Sequence, residues 1–143
     1  MSTNLEKAAR EVITLFNNLD YDTLVKKMEY NVVLKRILYP DSVHGIGDVT
    51  GYLNNHMKTR KPRLVDDNDN FAWNGPLTLI PNDAQNATSA QVSGAGRYVD
   101  DNDKTITPIT FTLGFVRSSP GDEWSLINSF ATPVAATQSL RRG

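Results

Sequence analysis

The chain has 143 residues, no cysteine, and 15 Lys and Arg against 16 Asp and Glu, a formal net charge of -1. That length suits one domain that buries roughly 70% of its unfolded surface, and the missing cysteines exclude thiol catalysis, thiolate-held zinc and a disulfide framework. A balanced charge exerts no overall pull on nucleic acid or an anionic membrane, and no apolar run approaches the ~20 residues of a membrane-spanning helix.

The elements follow in chain order. Leu5, Ala8, Ala9, Val12, Ile13, Phe16 and Leu19 recur at three- and four-residue steps and predict a first helix, with Thr3 and Glu6 at capping-box spacing. The pattern breaks at Asn17-Asn18. Asp20 or Asp22 then caps a short second helix carrying Tyr21, Leu24, Val25 and Met28. Val32 to Tyr39 is aliphatic, β-branched and aromatic and predicts a strand, closed by Pro40-Asp41. Gly45 and Gly47 make a loop, and Asp48 caps a third helix with Val49, Tyr52, Leu53, His56 and Met57 along it, until Pro62 stops it.

Beyond Pro62 the helical period disappears. Arg63 to Ile80 (interrupted at Asn74-Gly75-Pro76), Ala87 to Val99, Thr105 to Arg117 and Glu123 to Thr132 predict strands separated by polar turns. The last three read as an antiparallel meander. Gly94-Ala95-Gly96 suggests a bend inside a strand, and Asp100-Asp101 a hairpin turn. Residues 1–137 form one domain, and the polar tail 138–143 is expected to be loose. Helices followed by strands predict an α+β fold with three N-terminal helices packed on one face of an antiparallel sheet.

Three local patterns carry a family resemblance. They are Leu15-Phe16-Asn17-Asn18-Leu19-Asp20-Tyr21-Asp22 at the first helix break, His44-Gly45-Ile46-Gly47-Asp48-Val49 at the entry to the third helix, and the Phe115-Val116-Arg117 to Asp122-Glu123-Trp124-Ser125-Leu126-Ile127 hairpin. In this order the chain resembles the nuclear transport factor 2-like superfamily. That group includes ketosteroid isomerase, SnoaL-type polyketide cyclases, scytalone dehydratase, limonene epoxide hydrolase and the association domain of a calmodulin-dependent kinase. The resemblance implies a cone-shaped α+β fold with an apolar pocket at its open end, and a homodimer formed through the outer sheet face. It does not fix a function, because the fold hosts many.

The resemblance also sets tests. Ketosteroid isomerase needs a carboxylate base, a tyrosine and a protonated aspartate. Their places here fall on Arg36 to Tyr39, on Val12 and within Thr110 to Leu113, so none is filled; Asp41 is the carboxylate nearest the first. An Asp-Arg-Asp set of the epoxide-hydrolase type is suggested by Arg97, Asp100 and Asp101, though turn geometry alone favours the aspartates. Asp66-Asp67-Asn68-Asp69-Asn70 opens like a calcium loop but lacks its glycine and closing glutamate. The two histidines, His44 and His56, are too few and too separated to predict a metal site, and no cofactor is called for. Lys58, Arg60, Lys61 and Arg63 suit a helix C-terminus, and nucleic-acid binding is not expected.

The candidates are Tyr39, Asp41 and His56 as proton-handling groups, and Arg97, Phe111, Phe115, Asn128 and Phe130 as pocket residues. Each has a plainer reading, as a turn residue, a hydrogen-bonded core group or a solvated side chain. Period two puts alternate residues of each strand on opposite faces, but which face meets the pocket stays open. With Phe111, Phe115 and Phe130 inward, they line an apolar cavity anchored by Asn128; outward, they build a subunit interface. The expected function is binding of a small apolar molecule, with an isomerase, cyclase or dehydratase step by acid-base chemistry. The alternative is a non-catalytic association module. The expected location is cytoplasmic, since Met1 to Arg10 carries no apolar signal segment.

Overall fold

A computed structural model describes residues 4–36, 41–66, 73–102 and 104–134. Tyr39, Thr3 with its cap, the end of the predicted first strand, most of the Asp66–Asn70 run and the 138–143 tail lie outside the described residues.

Helix α1 (Asn4–Asn17) buries Leu5, Ala9, Val12 and Ile13, the stripe that helical spacing demands. Leu19 takes a left-handed backbone (φ 59°) and ends the run. Asp20 caps α2 (Tyr21–Val25), accepting from the Thr23 amide. Strand β1 (Met28–Lys35) starts four residues before the predicted stretch, and β2 (Ser42–His44) folds back on it. The third helical segment is α3 (Ile46–Tyr52), a π turn (Leu53–Met57) and α4 (Lys58–Arg60). Strands β3 (Pro62–Val65), β4 (Thr78–Ile80), β5 (Ser89–Asp100), β6 (Thr105–Val116) and β7 (Ser125–Pro133) complete the order.

The sheet runs β2-β1-β7-β6-β5-β3, with β4 also on β5. The meander β5-β6-β7 is antiparallel as expected. One feature corrects the all-antiparallel expectation: β1 lies parallel to β7, so the sheet is mixed. Turn residues announce hairpins between neighbours in sequence, but nothing local announces a pairing between strands about a hundred residues apart.

The helices pack on one face. Asn17, at the end of α1, clasps β3: its amide donates to the Leu64 carbonyl (2.9 Å) and its oxygen accepts from the Leu64 amide (2.7 Å). At the far end of β5, Asp100 is the strand's last residue and opens the hairpin turn, its carbonyl accepting from the Lys104 amide. Its buried carboxylate accepts from Arg60 (3.0 Å) and from the Asn102 amide (2.9 Å), tying α4 to the β5-β6 hairpin.

Through Gly94–Gly96, where a bend is expected, β5 keeps continuous register with β6, so no residue is bulged out of the ladder there. The glycines make room for aromatic rings instead. A Cβ on Gly94 would lie 2.7 Å from Phe111, and one on Gly96 would lie 2.7 Å from Trp73. The two rings meet edge to face at 5.5 Å, and the Trp73 indole donates to the Ala95 carbonyl.

Candidate functional site

The register decides which face of the sheet meets the helices. Val92, Leu113 and Ser129 align across β5, β6 and β7, as do Gly94, Phe111 and Ala131, and both rows turn toward the helices. The intervening row Ser93, Thr112, Phe130 turns away. Along β7 the parity changes once. Phe115 pairs with Leu126 and Gly114 with Asn128, leaving Ile127 as the extra residue of a bulge. Hence Trp124 and Leu126 are buried while Asn128 and Phe130, which strict alternation would put on the same side, point outward.

Between this face and the helices lies a cavity of about 100 Å³. Its walls are nearly all apolar, from Val12, Ile13 and Phe16 of α1 to Leu53 and Met57 of the π turn and Ile109, Phe111 and Leu113 of β6. Tyr52, Tyr98, Lys35 and Ser129 also line it. Tyr21 packs close by with its hydroxyl buried and without a hydrogen-bond partner. Burial, then the neighbouring Tyr52 phenol, pushes the Tyr21 hydroxyl well above the ordinary tyrosine range. Burial does the same to Tyr98, helped by Tyr52 and Asp100. Tyr52 is raised by burial too, but a hydrogen bond from Arg36 pulls the other way.

Tyr52 has a second exposure. It also lines a surface groove of about 480 Å³ with Arg36, Asp41, His44, Asp48, Asn55 and His56. The Arg36 guanidinium sits 5.6 Å from the Tyr52 ring centre and bonds Asp41 (3.3 Å). His56, expected on the inward arc of its helix, is exposed. The wide π turn keeps Leu53 and Met57 buried and rotates His56 outward, where it stacks on Tyr52 at 5.7 Å.

Among the sequence candidates, Asp41 and His56 therefore meet in the groove and Phe111 lines the cavity. Phe115 is buried on the same face, beside Leu126. Arg97, Asn128 and Phe130 lie on the opposite face from the cavity. Arg97 bonds the Asp66 carbonyl, and Asn128 packs over Gly114. Asp101 is held by two Arg63 guanidinium nitrogens, Nε and Nη2, at 3.2 Å each. Tyr21, Tyr52 and Tyr98 come from three elements, so no local pattern groups them. Tyr52 at helical spacing after Val49, and Tyr98 inside a strand, were the available signals.

No protein-family model matches the chain, and no curated protein matches it. Solved structures do. A candidate dehydratase of the NTF2-like family from Streptomyces avermitilis superposes with a TM-score of 0.69 at 14% identity, over 92% of this chain and 94% of that one. The chain has the nuclear transport factor 2-like fold. A candidate calcium/calmodulin-dependent kinase II association domain from Xanthomonas campestris gives 0.65 at 14% identity, over 90% and 86%. A candidate polyketide cyclase from the same organism gives 0.59 at 12% identity, over 98% and 97%. These likenesses establish the NTF2-like architecture and, by their diversity, no single chemistry. Among the described residues, no helix is long and apolar enough to cross a membrane.

Proposed function

We propose that this NTF2-like chain binds a compact apolar molecule in the cavity beneath its helices and acts on it in an isomerase, cyclase or dehydratase step. The observation that carries the reading is an apolar hollow, lined by Tyr52 and Tyr98 among others, whose Tyr52 also lines a groove holding Asp41, Asp48, His44 and His56. Apolar walls with a few placed polar groups are what a small-molecule site needs. The volume is of the order of the roughly 150 Å³ engineered cavity that admits benzene, so one small ring fills it. Asp41 and His56 are the proton-handling candidates on the groove side of Tyr52. Dehydratase and cyclase relatives by fold support the class of reaction.

The test is thermal unfolding against a panel of aromatic and terpenoid ketones. A ligand at a hundred times its Kd adds about 2.7 kcal/mol, a rise of several degrees for a domain this size. Filling the hollow with Phe111→Trp should abolish the rise. A flat response across the panel would refute a pocket function.

A second reading, an association module, is favoured by one observation. The outward face carries Phe130, Ile106 and Ile80, each at least 40% exposed. A homodimer through this face would cover them, and mass in solution tests it.

A further inference from the structure

The cavity and the groove share one wall. Most of the cavity's side chains are buried, among them Leu53, Met57, Phe111 and Leu113. Tyr52 is half-buried, and it is the one described residue that lines both spaces. Its ring carries two contacts from groove residues. The Arg36 guanidinium lies over it, 5.6 Å from the ring centre, and the His56 imidazole sits 5.7 Å away at a tilt of 31°. Arg36 is itself anchored. Its backbone amide donates to the Asp41 carbonyl (3.1 Å) and its guanidinium to the Asp41 carboxylate (3.3 Å). The Arg36 and Asp41 side chains are 27% and 58% exposed, so this ion pair is weak and easily broken and remade. Directly after Tyr52 the helix widens into the π turn Leu53–Met57, a departure from regular winding that is frequent at functional sites.

We propose that Tyr52 is a door between the groove and the cavity, held shut by Arg36 and Asp41, and that the ligand enters and leaves by displacing its ring. The inference rests on the pocket reading above and adds the route by which that pocket fills. Arg36, Asp41 and His56 line the groove and not the cavity, so the contacts that hold the ring are the same whether the cavity is empty or filled. They therefore cancel in the binding equilibrium and count only against opening. Weakening them speeds entry and exit by one common factor and leaves Kd where it was. A residue that touched the ligand would change Kd instead, mostly through the dissociation rate.

The experiment follows fluorobenzene exchanging with the full chain by fluorine relaxation-dispersion and saturation-transfer NMR. Phe111→Trp, which fills the hollow, should abolish binding and so identify the cavity as the site. Arg36→Ala removes both the ion pair and the cation on the ring, and should raise the association and dissociation rates together by about fivefold with Kd unchanged. Asp41→Ala removes only the anchor, and should raise both by about twofold. Arg36→Lys keeps the charge but loses the flat guanidinium, so its rates should fall between wild type and Arg36→Ala. Tyr52→Ala, with the ring gone, should exchange fastest. Rates unchanged in both Arg36→Ala and Asp41→Ala, or a changed Kd with an unchanged association rate, overturn the proposal and leave the pocket reading intact. Fluorobenzene that fails to bind the unmutated chain, or binds despite Phe111→Trp, defeats the pocket reading and this inference with it. Asp41 stands at an exposed position, so its variant decides the matter even if Arg36→Ala fails to fold.

Discussion

The two faces of the sheet come from the same strands and obey opposite rules. Facing the helices, Gly94 and Gly96 yield their side-chain space to Phe111 and Trp73, and Val92, Leu113 and Ala131 close the remainder except for one hollow. Facing away, the same strands carry Ser93, Thr112 and Phe130 in one row and Ala95, Thr110 and Thr132 in the next. A residue and its sequence neighbour thus live under different constraints. The inner face is limited by volume, the outer by what water or a partner tolerates.

The sharpest way to break this contrast is a pair of substitutions one residue apart. Gly94→Val places methyls where a Cβ already lies 2.7 Å from Phe111 and 3.2 Å from Leu77, and overpacking of this kind costs about 3 kcal/mol. Ala95→Val, exposed and in a strand that favours β-branched residues, should change stability by less than about 0.5 kcal/mol. Urea unfolding measures both; equal effects would mean the faces are assigned wrongly. A smaller effect appears at high pH. The folded-state pKa values of Tyr21, Tyr52 and Tyr98 are raised, so the unfolded chain gives up protons first. The stability these neutral phenols contribute is complete below pH 10 and falls as pH rises above it. Spectrophotometric titration at 295 nm should show these three ionising only with unfolding, and Tyr98→Phe should reduce the alkaline loss.

Much of the fold was legible because it is written locally. The apolar stripe of α1, the Asp20 cap and the polar turns of the β5-β6-β7 meander all signal through neighbours in sequence. What escaped was non-local or a matter of a single residue. The parallel β1-β7 pairing has no turn to announce it. One bulge at Ile127 reverses the parity of β7, so Asn128 and Phe130 left the pocket while Leu126 stayed. One π turn moved His56 from the inside of its helix to the groove. Asp100 forms its turn through the Asn102 amide as aspartate's local preference predicts, but its second partner, Arg60, comes from another element and leaves no local trace. The tyrosine cluster was illegible for a related reason, since Tyr21, Tyr52 and Tyr98 become neighbours only when three elements meet.

Phe130 gives the finest test of the comparison, because it is the aromatic that the bulge sent outward. At 40% exposure it contributes little to the fold of a single chain, so Phe130→Ser should alter unfolding by about 0.5 kcal/mol or less at high dilution. If the outer face joins two copies, the same change removes an aromatic from the interface, and interface aromatics are where binding energy concentrates. The expected outcome is then a drop in mass by sedimentation and a concentration-dependent loss of Tm, with ketone binding in the inner cavity preserved. A variant that stays in the wild-type assembly would show that this face is simply solvated. One that loses the ketone site along with the assembly would show that the two faces, separate in their packing, are joined in function.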